Sequence, residues 1–179
     1  MASDTALLII DIQAGMLDEA DPDCKAILDN INSLLARARA SGTPVIYIQH
    51  DGWPAGHPLE PGTPGWPIHP AIAPHEGELV IRKRASDSFY RTSLQDELEK
   101  LGVRRLVVAG AQSEYCVDTT CRSALSHGYD VTLVSDAHDT GNGHNLTADE
   151  IIAYHNHVLA RLTHPDHSIT VVATEAVTF

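Results

Sequence analysis

Basic residues are scarce in this chain. Of 179 residues only 12 are lysine or arginine, against 24 aspartates and glutamates, which gives a formal net charge of -12 at pH 7. A surface of that sign repels phosphate backbones and anionic headgroups, so neither nucleic acid nor a membrane surface is an expected partner. Cysteine is scarce too. Cys24, Cys116 and Cys121 are an odd number with no secretory leader beside them, which argues against a disulfide framework and points to reduced thiols in a cytoplasmic setting. The stretch Met1-Ala2-Ser3-Asp4-Thr5 lacks the basic region of a signal peptide, and no apolar run is long enough to cross a bilayer. Repeats, low-complexity segments and a domain linker are all missing. With 43% hydrophobic residues, residues 1–179 suffice for one domain with a sizeable core and are too few for two. Gly141-Asn142-Gly143 lacks the third glycine of a dinucleotide fingerprint and does not open a helix directly.

What is present is a regular alternation of short apolar runs and amphipathic stretches. Residues 6–10, 45–48, 79–81, 106–109, 131–134 and 169–172 read as strands, the first a continuous apolar run of the kind buried on both faces. Residues 24–40 place Ile27, Ile31, Leu34, Leu35 and Ala38 on one helical face, and Gly42 and Pro44 stop that helix. The segments beginning at Thr92 and at Thr147 have the form of capping boxes and predict helices running to about Gly102 and Leu162. A further helix is expected from about Cys116 to His127, closed by Gly128. Such alternation predicts the α/β class: a three-layer, doubly wound parallel sheet with right-handed crossovers.

In a sheet of that kind ligands bind beyond the carboxyl ends of the strands, where the strand order reverses. Asp11 ends the first run, at the rim of the core, where partial desolvation suits a general acid or base. His50 and Asp51 end the second. The third ends in Arg82-Lys83-Arg84, ordinarily a solvated basic patch. Cys116 follows the fourth run and a tight turn, at the expected start of a helix. The helix dipole there and a cation such as Lys83 would stabilise a thiolate, and free N–H groups could receive an oxyanion. The alternative for Cys116 is a buried structural thiol. Residues 50–77 are rich in proline, glycine and histidine, and an irregular stretch that long in a small domain is usually functional.

Four segments taken together resemble the isochorismatase-like cysteine hydrolases over essentially the whole chain. They are Leu7-Leu8-Ile9-Ile10-Asp11-Ile12-Gln13, then Lys83 through Leu94, then Gly110 through Val117, then Gly128 through Ala137. The resemblance implies strand order 3-2-1-4-5-6 and a catalytic triad of Asp11, Lys83 and Cys116. It also implies a cis peptide between Ala111 and Gln112, with the N–H groups of Gln112 and Cys116 forming the oxyanion hole. Nicotinamidase members of the family carry a metal on an Asp-x-His pair after the second strand. Here that stretch reads His50-Asp51-Gly52, and although His57 and His69 remain in the loop, no metal and no other cofactor is expected.

The reaction so implied is hydrolysis of a C–N bond in a small amide, lactam or carbamoyl compound through a thioester on Cys116. Gln13, Trp53, Trp66, Tyr90 and Tyr115 are the candidate substrate contacts, with ordinary packing as the alternative for the aromatic ones. Two rival readings stand beside it: isochorismatase-type cleavage of a vinyl ether, which needs the acid but not the thiolate, and a non-catalytic binding or thiol-sensing member on the same scaffold. A small-molecule substrate and a homodimer or larger homo-oligomer are the expected partners. His155, His157, His164 and His167 read as solvated or dimer-contact side chains.

Overall fold

The computed structural model describes residues 4–17, 22–143 and 145–179. Its sheet is built from β1 (Thr5–Ile10), β2 (Val45–His50), β3 (Leu79–Lys83), β4 (Arg105–Ala111), β5 (Asp130–Asp139) and β6 (Ile169–Val172). All pairings are parallel, and the order is β3-β2-β1-β4-β5-β6. The order reverses between β1 and β4, so the carboxyl ends of these two strands form the switch point.

Helices cover both faces because the strands are apolar on both. Leu7 and Ile9 of β1 meet Ile27, Ile31, Leu34, Leu35 and Ala38 of α1 (Pro22–Ser41), the stripe expected from the sequence. Ala6, Leu8 and Ile10 face the other way. They pack into a second core with Leu94 and Leu98 of α2 (Leu94–Lys100), Cys121, Ala124 and Leu125 of α3 (Asp118–Ser126), and Leu159 of α4 (Ala148–Leu159). No described helix is long and apolar enough to cross a membrane.

Three local expectations change. Thr147 and Glu150 do form a reciprocal capping box, but the segment at Thr92 does not. The helix there begins at Leu94 without a side-chain cap from Ser93, and the Thr92 hydroxyl donates back to Ser88 O at 2.6 Å. The same hydroxyl accepts from Leu94 N–H at 3.3 Å, so a local side-chain turn stands where the capping box was expected. β5 runs on to Asp139, with a register shift against β4 between Val108 and Gly110. Cys116 does not open an α-helix: it lies inside a π turn, Ser113–Val117, that leads into α3.

Gly110 explains how β4 lies so close to β1 at the switch point. It has φ +140°, and a Cβ placed there would sit 2.1 Å from the carbonyl oxygen of Ile10. Only glycine fits, and the residue after Ile10 is Asp11.

Candidate active site

Asp11 leaves β1 with φ +52°, an unusual conformation for a residue with a side chain. Lys83 is the last residue of β3, and Cys116 stands on the π turn after β4, so three elements that are remote in sequence deliver three side chains to one point. The Lys83 ammonium lies 2.6 Å from Asp11 Oδ2, and both side chains are almost wholly buried. It donates to Cys116 Sγ at 3.1 Å and to Ala85 O at 2.9 Å, and His50 Nδ1 is 3.4 Å away. The buried carboxylate thus meets both the ammonium and the thiol.

Burial dominates the electrostatics. It raises the pKa of Asp11, with Lys83 opposing, so the carboxylate is a stronger base than one in water. Burial also pushes the Cys116 thiol up to about 11. The neighbouring Asp11 charge works in the same direction, and Lys83 only partly offsets them. This corrects the expectation of a stabilised thiolate: removal from water and a nearby carboxylate outweigh the cation. His50 is pushed down to about 4, first by burial and then by Lys83 and His57, so its ring is neutral at ordinary pH.

A cavity of about 180 Å³ opens onto the sulfur. Its walls include Asp11, His50, His57, Gln112 and Tyr115. The Ala111–Gln112 peptide is cis, as the resemblance implies. Tyr115 and Val117 N–H both donate to Gln112 O, which shapes the turn around the sulfur. Ser113, the first residue of that turn, is fixed from below. Its hydroxyl lies 2.7 Å from His138 Nδ1, and His138 Nε2 lies 2.9 Å from Asn156 Oδ1. The Asn156 amide nitrogen donates to Ser135 O, so its oxygen faces the ring. Nε2 must then carry the proton, and Ser113 donates to Nδ1.

The structure brings only part of the expected substrate-contact set to this cavity. Tyr115 lines it, 57% exposed. Gln13 does not: it is fully buried, and its amide is consumed by His50 O, Trp66 O and His50 N, so it is a brace beneath the site. Trp66 is likewise held in the scaffold, its indole N–H donating to Asp51 Oδ1 at 2.9 Å. Trp53 and Tyr90 face an adjoining hollow. Met16, His50, His57, Leu59 and Ser86 line the catalytic cavity and were not on the expected list. His50 carried a signal, since it ends β2. His57 carried only that of the irregular 50–77 stretch, and it packs against Gly52, where a Cβ would lie 2.1 Å from its ring.

Whether the site could hold a metal is decided by Lys83. The ligating atoms of Asp11, His50 and Cys116 lie within 4.8 Å of one another, but all three already converge on the ammonium. Asp51 is taken by Arg82 and Trp66. These residues do not fit a metal while the ammonium stands there. Of the other histidines, His155 is no surface group: its ring lies 3.2 Å from Asp118 Oδ1, between α4 and α3. Of the other thiols, Cys121 is in one core and Cys24, on α1, is buried in the other.

The isochorismatase domain model matches residues 5–174. The chain belongs to the isochorismatase family. A streptothricin hydrolase of Streptomyces noursei is 44% identical over 137 residues, which cover 75% of this chain and 54% of that protein. The chain thus spans about half the length of that relative. A ureidoacrylate amidohydrolase of Variovorax paradoxus is 28% identical over 180 residues, covering 78% of this chain and 71% of its own. Among solved structures, an isochorismatase from Pseudomonas putida superposes with a TM-score of 0.87 at 32% identity, covering 98% of this chain and 90% of that one. The named relatives of this isochorismatase-family chain are hydrolases, and the sheet order is that of the family fold.

Proposed function

We propose that the protein is a cysteine-dependent hydrolase of C–N bonds in a small amide, lactam or carbamoyl compound. The observation that carries the reading is the position of the Lys83 ammonium, 2.6 Å from Asp11 Oδ2 and 3.1 Å from Cys116 Sγ, behind the cavity that Asp11 and Cys116 line. Asp11, made more basic by burial, takes the proton from the thiol as the sulfur attacks the carbonyl carbon. Lys83 holds the developing thiolate charge, and the N–H groups of Gln112 and Cys116 receive the oxyanion. The tetrahedral intermediate collapses as Asp11 returns the proton to the leaving nitrogen, which frees the amine and leaves a thioester. Asp11 then draws a proton from water, which attacks the thioester, and the acid is released as the proton returns to sulfur.

A relative named as an amidohydrolase supports C–N chemistry. The test is a panel of small amides, ureido acids and lactams, followed by ammonia or amine release and by mass spectrometry for an acyl adduct on Cys116. An adduct that forms and decays with turnover is the expected result. Pyruvate release from a vinyl ether without any adduct would establish the ether-cleaving alternative instead. Normal folding with no turnover of either class would leave a binding protein.

A further inference from the structure

Next to the catalytic cavity lies a second, larger hollow of about 550 Å³, lined by Asp51, Trp53, Arg82, Arg84, Tyr90 and Arg91. Its charge runs against that of the chain. Three guanidinium groups face one carboxylate here, whereas the whole sequence has 24 acidic residues to 12 basic ones. Asp51 is already engaged, pairing with Arg82 at 2.7 Å. Among the described residues neither Arg84 nor Arg91 has a carboxylate partner. Both side chains are exposed, so their N–H donors are open to an anion entering the hollow.

The hollow is also shaped. The Trp53 indole N–H donates to Arg84 O at 3.1 Å, which ties the 50s loop to the end of β3. The Arg91 guanidinium lies over the Tyr90 ring, 5.1 Å from its centre, and Arg91 itself has φ +55°. Trp53 and Tyr90 are 59% and 53% exposed, so flat apolar surface is left open beside the charges. Planar guanidinium groups match a carboxylate in geometry, two N–H donors to two oxygens.

The hollow adjoins the catalytic cavity through residues that are neighbours in sequence, although no residue lines both. Lys83 and Ala85 line the hollow, Lys83 reaches the sulfur, and Ser86 lines the cavity. Asp51 lines it while the preceding His50 lines the cavity. We infer that Arg84 and Arg91 form a carboxylate-binding subsite, and that the substrate is an amide or ureido compound carrying a carboxylate on the side away from the scissile bond. This rests on the hydrolase reading for its placement, but binding can be tested without turnover.

The experiment titrates the purified chain with adipate, with its neutral isostere adipamide and with inorganic phosphate, by calorimetry at low ionic strength. The same titrations follow on R84Q, R91Q and the double variant. Adipate should bind the native chain, and each substitution should weaken it by about tenfold, the range for hydrogen bonds to a charged group moderated by exposure. Both arginines are exposed, so the variants should melt within a few degrees of the native chain. In parallel, hydrolysis of adipamic acid should exceed that of hexanamide, and the double variant should erase the preference through KM. Adipate binding that is unchanged in the double variant, or no tighter than adipamide, overturns the subsite. Phosphate binding with adipate silent overturns the carboxylate assignment. Arginine-dependent adipate binding with no amide turned over would keep the subsite and sink the hydrolase reading.

Discussion

At Cys116 the resting side chain is a thiol, with its pKa pushed up to about 11. Iodoacetamide labelling of Cys116, followed by peptide mapping, should therefore be slow near neutrality. Its rate should climb past pH 9 toward pH 11 rather than level off where a free cysteine would. Cys116 should still be labelled before Cys24 and Cys121, which are buried. Asp11 raises the thiol pKa and Lys83 lowers it, so the two variants should diverge. Asp11→Asn should be alkylated faster than the native protein at pH 8 and yet lose roughly 10²-fold or more in turnover, because the proton carrier is gone. Lys83→Met should be slower in both respects. It should also melt lower, since it leaves Asp11 as a lone buried carboxylate, a loss of about 3–5 kcal/mol for broken buried pairs. Equal alkylation rates in native and Asp11→Asn protein would sink the coupling. Cys116→Ser should fold normally and be inactive, its hydroxyl being a far weaker acid and nucleophile. The candidate triad was legible through the four-segment resemblance; by position alone Lys83, two residues past Ile81, read as part of a solvated basic patch and Cys116 equally as a structural thiol. The resting state of the thiol was not: sequence spacing shows which charges are neighbours, whereas a pKa depends on how much water the fold removes.

The π turn between β4 and α3 carries the sulfur and is held from outside. His138 of β5 and Asn156 of α4 reach Ser113 at its first position. His138→Ala should leave a buried hydroxyl and a buried amide oxygen without partners, over an empty volume. The expected loss is about 2–4 kcal/mol, measured as a lowered denaturant midpoint. Turnover should fall as well, through kcat rather than KM, if the turn aims the sulfur. Burial lowers the pKa of His138. The neutral ring's contribution is present above the unfolded histidine pKa and is lost as acid charges the ring. Gly110→Ala places a methyl 2.1 Å from Ile10 O. It should destabilise the fold by roughly 3 kcal/mol or more, or prevent soluble expression, since backbone rather than a side chain must yield. Helices and strands were legible from periodicity, because apolar stripes on α1 and continuous runs in β1 state which faces are buried. The π turn, the failed cap at Thr92 and the extension of β5 were not. Each is settled by individual hydrogen bonds, local at Thr92 and in the π turn and between strands for β5, which apolar periodicity does not register.

Over the whole molecule, the alternation of elements was enough to give the class, and a two-faced core around the central strands is its physical counterpart. What sequence order concealed is who meets whom at the carboxyl edge. Gln13 was expected to touch substrate and instead braces His50 and Trp66, 37 and 53 residues away. The arginines that read as a solvated run at the end of β3 line one hollow with Trp53 and Tyr90. The position of Lys83 among Asp11, His50 and Cys116 has a consequence of its own. A metal ion in that place would have an affinity, an exchange rate and competitors in the medium; an ammonium on a four-carbon stem has none of these. Its charge is present as soon as the chain folds, in one copy per site, at every concentration of protein. Turnover and melting temperature should therefore be indifferent to prolonged dialysis against a strong chelator, and readdition of zinc or iron should restore nothing, because nothing has been taken away.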